Sequence, residues 1–426
     1  MIYSVIQGDT LYKIANKFNV TIEDLVIANG LTQPNNLAIG QNLFIPTNNN
    51  QTSTYRVVAG DTMYLISRRV GVPLQQLITA NPQISNPNVI NIGDTINIPS
   101  NKKTIEVNGY AIANISNMTL DRTLPYLTYL SIFSYQAKAD GNLFGLYEEN
   151  IIDKAISANV APIMVVTNIA ESGGFDSDIA SSILNNESIQ NTLINNIISI
   201  VNDKNYYGVD IDFEYLYPRD RMAYISFLRK LKEELVKINK TLSVAVAPNY
   251  RDNQSGILYE AHDYQMIGEI ADRVIIMTYE WGYMYGEPMA ISPLSEVDAV
   301  LNYAVTRIPP EKILMGMPNY AYDWTLPFNS GDSAMAITNN RALELALEKG
   351  ATINFDEKAQ SPYFNYIDDS GRNHVVWFDD ARSINARLQL VNKYNLAGVS
   401  YWTINNFYPV NWAVLANNFD VQKISY

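Results

Sequence analysis

Eight short apolar runs, each followed by a helix-like pattern, recur after residue 104, and this alternation restricts the fold more than any other feature of the chain. The runs cover residues 106–112, 129–133, 162–166, 208–213, 242–247, 273–278, 313–317 and 398–402. Strands alternating with helices predict the α/β class, with a parallel sheet closed into a (β/α)8 TIM barrel over residues 104–426. The clearest helix spans 219–238, where Met222, Ile225, Leu228, Leu231, Leu235 and Ile238 form one apolar stripe. Residues 319–380 interrupt the pattern after the seventh run, and a structureless loop of that length is uncommon in a compact domain. A helix over 341–349 stopped by Gly350, and strands over 352–355, 363–367 and 374–378, predict a small α+β insertion that walls one side of a cleft. Asp368-Asp369-Ser370-Gly371 supplies a turn between the last two strands.

The first hundred residues contain an internal repeat. Tyr3-Ser4-Val5-Ile6-Gln7-Gly8-Asp9-Thr10 returns fifty-two positions later as Tyr55-Arg56-Val57-Val58-Ala59-Gly60-Asp61-Thr62. Ala28-Asn29 returns as Ala80-Asn81, and Ile39-Gly40 as Ile92-Gly93. Each unit reads strand, helix, helix, strand, which places one βααβ unit over residues 1–47 and another over 55–100. In the first, Thr10 caps a helix whose apolar positions are Leu11, Ile14, Ala15 and Phe18, and Thr21 with Asp24 forms a capping box for the next helix. Residues 48–54 are polar and free of aromatic groups, the composition of a flexible linker.

No cysteine is present, which excludes disulfides, a cysteine nucleophile and a Cys-type zinc site. The only histidines, His262 and His374, lack metal-ligand spacing, so neither a metal nor a cofactor is expected. Residues 1–100 carry five basic and five acidic side chains, so the whole formal net charge of −13 lies beyond them. Such a surface repels nucleic acid and anionic membrane. The neutral repeats suit a ligand held by hydrogen bonds and apolar contact. No apolar run is long enough to span a bilayer, and residues 1–5 read as a strand rather than a signal peptide. A monomer made in a cytosol and deployed without classical secretion is expected.

Gly208-Val209-Asp210-Ile211-Asp212-Phe213-Glu214 is the stretch with chemistry in it. Side chains alternate along a strand. Asp210, Asp212 and Glu214 therefore share one face, and Val209, Ile211 and Phe213 the other. The outward face of a barrel packs on helices, so the acids point inward, with Glu214 nearest the C-terminal rim where barrel active sites lie. Three like charges in a row are costly unless protonated or paired, and such groups cluster at functional sites. Glycosidic cleavage needs an acid for the leaving oxygen and a means of stabilising the anomeric carbon. Glu214 meets the first need if burial and the Asp212 charge keep it protonated. No second carboxylate is placed by sequence as a separate nucleophile.

This stretch resembles the Asp-Gly-x-Asp-x-Asp-x-Glu signature of glycoside hydrolase family 18, with Tyr207 in place of the first Asp. Met277-Thr278-Tyr279-Glu280 resembles the family's Met-x-Tyr-Asp, with Glu280 for Asp, and Trp402 matches the tryptophan that floors the sugar subsite. The family's Ser-x-Gly-Gly after the third strand is replaced by Val165-Val166-Thr167-Asn168, so Asn168 either alters the site or bonds to sugar. The resemblance implies a retaining, substrate-assisted reaction, in which the 2-acetamido oxygen attacks to give an oxazolinium ion. It implies Glu214 as the acid, Asp212 orienting the acetamido nitrogen, Tyr279 bonding the acetamido oxygen and Asp210 tuning Asp212. Tyr320, Asp323 and Trp324, beside the end of the seventh strand, are expected cleft contacts.

The repeats resemble LysM domains, whose ligands are N-acetylglucosamine-containing glycans held between the Gly-Asp-Thr loop and the loop before the last strand. Here those are Gly8, Asp9 and Thr10 with Asn36, Leu37 and Ala38, and Gly60, Asp61 and Thr62 with Val89, Ile90 and Asn91. The same residues also read as turn and cap residues. Two such units ahead of such a barrel resemble spore cortex-lytic enzymes, which implies a peptidoglycan N-acetylglucosaminidase placed in the bacterial spore. A chitinase of the same family and a non-catalytic spore-coat lectin are the alternative readings.

Overall fold

The computed structural model describes residues 1–46, 54–100 and 102–425. The linker read over 48–54 lies outside the described residues except for Thr54. Each of the eight predicted runs coincides with a strand of one barrel: β1 Lys103–Ile112, β2 Tyr129–Ala137, β3 Ala161–Thr167, β4 Gly208–Asp212, β5 Thr241–Val246, β6 Arg273–Ile276, β7 Ile313–Pro318 and β8 Gly398–Trp402, with the fourth, fifth and sixth runs reaching one or two residues past the end of the ladder. Each strand pairs in parallel with the next. β8 pairs in parallel with β1, which closes the ring.

The outward side chains of β4, Val209 and Ile211, join the apolar layer between barrel and helices, together with Leu228, Leu231 and Leu235. Those three leucines lie on the helix Arg221–Lys237, which a 3-10 turn at Pro218–Asp220 delays by two residues. Met222 departs from the predicted stripe: it is exposed, while Tyr224 and Phe227 are buried. The helix is covered over a broader arc than one stripe, and steps of three residues fall short of a full turn of about 3.6, so the row drifts round the helix and leaves Met222 on the outer side. The barrel interior is partly polar. Ser131 Oγ donates to Asn108 Oδ1 at 2.9 Å, and Asn108 Nδ2 donates to Ser400 Oγ at 2.9 Å. Arg273 Nε donates to the Glu106 carboxylate at 2.5 Å near the N-terminal end.

The insertion is a five-stranded antiparallel sheet in the order Met335–Ile337, Ala321–Leu326, Asn373–Trp377, Ser361–Ile367, Asn354–Asp356. The helix Asn339–Glu348 covers it through Ala342, Leu345 and Ala346 against Phe364 and Val376. Sequence reading missed its first two strands. Ala321–Leu326 is buried on both faces over its first four residues, so no alternation marks it.

Both repeats fold as read. The first pairs Ile2–Ser4 with Asn42–Phe44, and the second pairs Thr54–Arg56 with Thr95–Asn97. Thr10 accepts from the Lys13 amide, and the Thr21–Asp24 capping box forms. The repeated Asn has a structural task. Asn81 Nδ2 donates to the carbonyls of Leu77 and Asn97, and its Oδ1 accepts from the Asn97 amide at 2.7 Å. Asn29 does the same with Leu25 and Phe44. The repeated Asp is likewise a fastener, because Asp9 accepts from Tyr3 OH and the Ile6 amide, and Asp61 from Tyr55 OH and the Val58 amide.

Asn81→Ala strips partners from the buried carbonyl of Leu77 and from the part-buried amide and carbonyl of Asn97. The second repeat should lose about 1–2 kcal/mol of local stability, read as faster hydrogen exchange at its amides, whereas the exposed Asn88→Ala should change nothing measurable.

Candidate active site

The site forms where β4 runs out. The sheet ladder ends at Asp212, and Phe213 and Glu214 continue the strand without a strand partner. Their backbone is held by two side chains. Asn168, just past β3 and fully buried, accepts from the Glu214 amide at 3.0 Å and donates to the Glu214 carbonyl at 2.9 Å. His262 Nε2 lies 3.0 Å from the Phe213 carbonyl, and its Nδ1 accepts from the Ala247 amide at 3.0 Å. Burial pushes His262 down to about 4, so it is neutral, with Nε2 as the donor. Tyr215 then turns the chain with φ of 54°.

Asp210, Asp212 and Glu214 face the barrel interior as the alternation requires. Asp210 is fully buried and accepts from Ser243 Oγ and Tyr110 OH, both at 2.6 Å. The register explains the first contact, because Asp210 and Ser243 are directly opposed on β4 and β5. Burial raises the Asp210 carboxyl, and the two donors oppose that shift. Asp212 is buried and its Oδ1 has no hydrogen-bond partner among the described residues. Burial, then the charges of Glu214 and Asp210, hold it well above the usual carboxylate range. Glu214, at the mouth, is pushed up to about 7, first by burial and then by the charge of Glu280.

A cleft of about 470 Å³ opens above this column, lined by Asp212, Glu214, Tyr110, Tyr279, Glu280 and Trp402, with Tyr215, Tyr259 and Tyr283 at its sides. Tyr279 follows β6. Its ring lies against Gly316 of β7, where an added Cβ would stand 2.8 Å from Tyr279 Cε1. Burial and the neighbouring acids raise the Tyr279 hydroxyl well above its ordinary value, so it is a neutral donor. Glu280 sits in the left-handed region at φ 68° and accepts from Tyr320 OH, and from Tyr322 OH at 3.0 Å. Trp402, the last residue of β8, packs edge-on against Tyr110 and Phe133, with centroids 5.5 Å and 4.8 Å away.

The predicted residues therefore divide. Glu214, Asp212, Tyr279, Glu280 and Trp402 meet in the cleft, with Asp210 beneath them. Asn168 is a correction: both ends of its amide are spent on backbone, so it grips the acid's main chain and offers nothing to a sugar. Asp323 and Trp324 are corrections too. Asp323 is buried in the insertion sheet, accepting from Tyr366 OH at 2.6 Å and facing His374 Nδ1 at 2.8 Å. Trp324 is fully enclosed, with its indole N–H on the Gly286 carbonyl at 3.0 Å. Neither lines the cleft, and Tyr320 stands behind Glu280. Tyr207, the departure from the family signature, lies at the barrel's other end, lining a separate cavity of about 230 Å³ with Tyr129 and Arg273. Sequence reading missed Tyr110, Ser243 and Tyr322. A signal for Tyr110 was present in the polar alternation Glu106, Asn108, Tyr110 along β1.

In the repeats, Gly8, Thr10, Asn36, Gly60, Thr62, Val89 and Asn91 are exposed, Asp9, Leu37, Asp61 and Ile90 are partly covered, and Ala38 is buried.

Residues 117–406 match the profile of glycosyl hydrolases family 18, and residues 3–46 and 55–99 match that of the LysM domain. The chain is 38% identical to the cortical fragment-lytic enzyme of Bacillus subtilis (strain 168), over 99% of each protein. It is 39% identical to the protein of the same name from Bacillus anthracis, again over 99% of each. Among solved structures, the spore cortex-lytic enzyme SleL of Bacillus megaterium QM B1551 matches with a TM-score of 0.84 at 40% identity, covering 99% of this chain and 98% of that one. A chitinase from Chromobacterium violaceum ATCC 12472 matches with a TM-score of 0.69 at 25% identity, covering 74% of this chain and 99% of that one. With a family profile spanning most of the barrel, and relatives this similar from end to end, the chain belongs to glycosyl hydrolases family 18 and carries two LysM domains ahead of its catalytic barrel.

Proposed function

We propose that the chain hydrolyses β-1,4 bonds at N-acetylglucosamine in spore cortex peptidoglycan, with retention of configuration and with its LysM domains holding the glycan. The full-length likeness to proteins named cortical fragment-lytic enzymes supports the substrate. One observation carries the chemistry: a buried acid raised to about 7 stands at the rim of a cleft, next to a buried carboxylate oxygen with no partner.

A buried acceptor left unsatisfied calls for an explanation, and a substrate acetamido N–H is a donor of the right kind for Asp212 Oδ1. Glu214 gives its proton to the bridging oxygen as that oxygen leaves the anomeric carbon. The acetamido oxygen attacks the same carbon, and the nitrogen's growing positive charge is met by Asp212. Tyr279, a neutral donor, orients the acetamido oxygen. Water then adds to the anomeric carbon, Glu214 takes its proton back, and the acetamido group re-forms. The nucleophile is already attached to the substrate, so much of the barrier is met by proximity. Trp402 supplies an apolar floor for the sugar ring.

Mass spectrometry of products from cortex fragments tests the substrate. Reducing-end N-acetylglucosamine with retained configuration is expected, and faster cleavage of chitin oligomers would favour a chitinase instead. Glu214→Gln should lower kcat by about 10²–10⁴-fold, the usual contribution of a general acid, while glycan binding persists. Equal reducing-end release by both proteins would mean that Glu214 is not the acid.

The acid must be protonated to act, so kcat/KM should fall as pH rises through about 7. Removing the Glu280 charge takes away a cause of that upward shift, so Glu280→Gln should move this limb to lower pH. Asn168→Ala frees the backbone of the acid. A loss of about 10–100-fold in kcat, with KM little changed, is the cost expected of a slightly misplaced catalytic group.

A further inference from the structure

The two repeats share a fold, yet their corresponding loops meet different surroundings. In the first, Phe44 and the partly buried Ile2 and Ala28 join the same apolar cluster as the barrel's outer layer. Asn42 Nδ2 donates to Asp380 at 2.7 Å, and Asp380 caps the helix Ala381–Lys393. The loop before the last strand, half of the expected sugar site, is partly covered by the insertion: Ala38 is buried, while Asn36 and Ile39 keep an exposed edge. Ala38 packs with Ala342, Leu345 and Phe364. The Ile39 carbonyl accepts from the Ile353 amide at 2.9 Å, and a Cβ on Gly40 would stand 2.0 Å from the Ile353 carbonyl oxygen. Two cavities between the first repeat and the rest are about 10 Å³ each, scarcely room for one water.

The second repeat offers the same loop to solvent. Val89 and Ile92 are 61% and 73% exposed, and the only atom near a Cβ on Gly93 is an Arg56 nitrogen at 4.0 Å. A groove of about 550 Å³ runs along the loop past Ile84, Asn86, Val89 and Asn91. Its apolar core is drawn from residues 55–98 alone. Its charge also differs: three arginines against two aspartates, where the first repeat has two lysines against three acids.

We infer that the repeats have parted roles: the first is a fixed brace between barrel and insertion, and the second, through the groove at Val89–Gly93, is the unit that holds an N-acetylglucosamine-containing glycan strand. This rests on the LysM reading above and adds which copy binds. Exposed apolar side chains beside open backbone suit sugar faces and acetamido groups, and the polar groups of the groove, Asn86, Asn91 and Asp94, suit sugar hydroxyls.

Two measurements on the full chain, in a Glu214→Gln background that prevents turnover, test it. The first is pelleting with cortex sacculi. Val89→Asp/Ile92→Asp should weaken retention at least tenfold, and the matching Asn36→Asp/Ile39→Asp should leave it within twofold. Equal losses would overturn the division while keeping the LysM reading, whereas no loss from either pair would overturn both. The second is thermal unfolding of the catalytic unit. Gly40→Ala and Gly93→Ala replace glycines of similar positive φ, 83° and 95°, so strain is matched and only the contact differs. Gly40→Ala should lower the barrel's Tm by several degrees and Gly93→Ala should not. Equal effects would overturn the brace.

Discussion

Desolvation of the Asp210–Asp212–Glu214 column is the constraint that the rest of the barrel answers to. Alternate residues of a strand stand about 6.6 Å apart. At an effective dielectric near 20, unit charges at that spacing repel by ~2.5 kcal/mol, close to two pKa units. Three charges are therefore not held side by side, and the local donors decide which group gives way. Asp210 has two short hydrogen bonds that favour its ionised form. Glu214 has no such donor, and it has the Glu280 charge nearby, so it keeps a proton to about 7. Asp212 lies between them with an open acceptor. One repeating sequence pattern thus meets three different surroundings, and the difference comes from β1, β5 and Glu280 beyond β6 rather than from β4 itself.

The same constraint explains the neutral clamp on the acid. A group that fixes Glu214 with a charge would also change its proton affinity. Asn168 and His262 fix the backbone instead, and burial keeps the imidazole uncharged. Position and acidity are thereby set by separate residues. The asparagine stands where the family pattern has a small glycine, so its amide fills space that a sheet ladder no longer occupies.

Periodicity made the barrel and the repeats legible before any coordinates. Eight runs, a fifty-two-residue offset and an alternating acid triplet are statements about chain neighbours, and chain neighbours determine strands, caps and faces. Contacts between elements are a different matter. Whether Asn168 points at a sugar or at the Glu214 backbone depends on how β3 and β4 end beside each other. Trp324 and Asp323 follow the seventh strand, which placed them near the rim in sequence, yet their sheet turns them into its own packing. Met222 shows a different limit on a helix: three-residue steps fall short of a full turn, so the row drifts and its first member stands outside while Tyr224 in the same turn is buried.

The insertion is where these threads join. On one side it sends Tyr320 and Tyr322 to Glu280, which lines the cleft and raises the acid. On another it receives Ala38 and Gly40 of the first repeat. A chemical step that depends on placement within a fraction of an ångström calls for such rigid backing. Capture of a long polymer makes the opposite demand, because a second attachment point raises local substrate concentration only if it can reach along the strand while the cleft is engaged. Among the described residues, the insertion contributes none to the cleft lining itself, contrary to the wall expected from sequence, and its backing acts through Glu280. A chain with one repeat locked against that insertion and another whose core is its own meets both demands with a single duplicated fold.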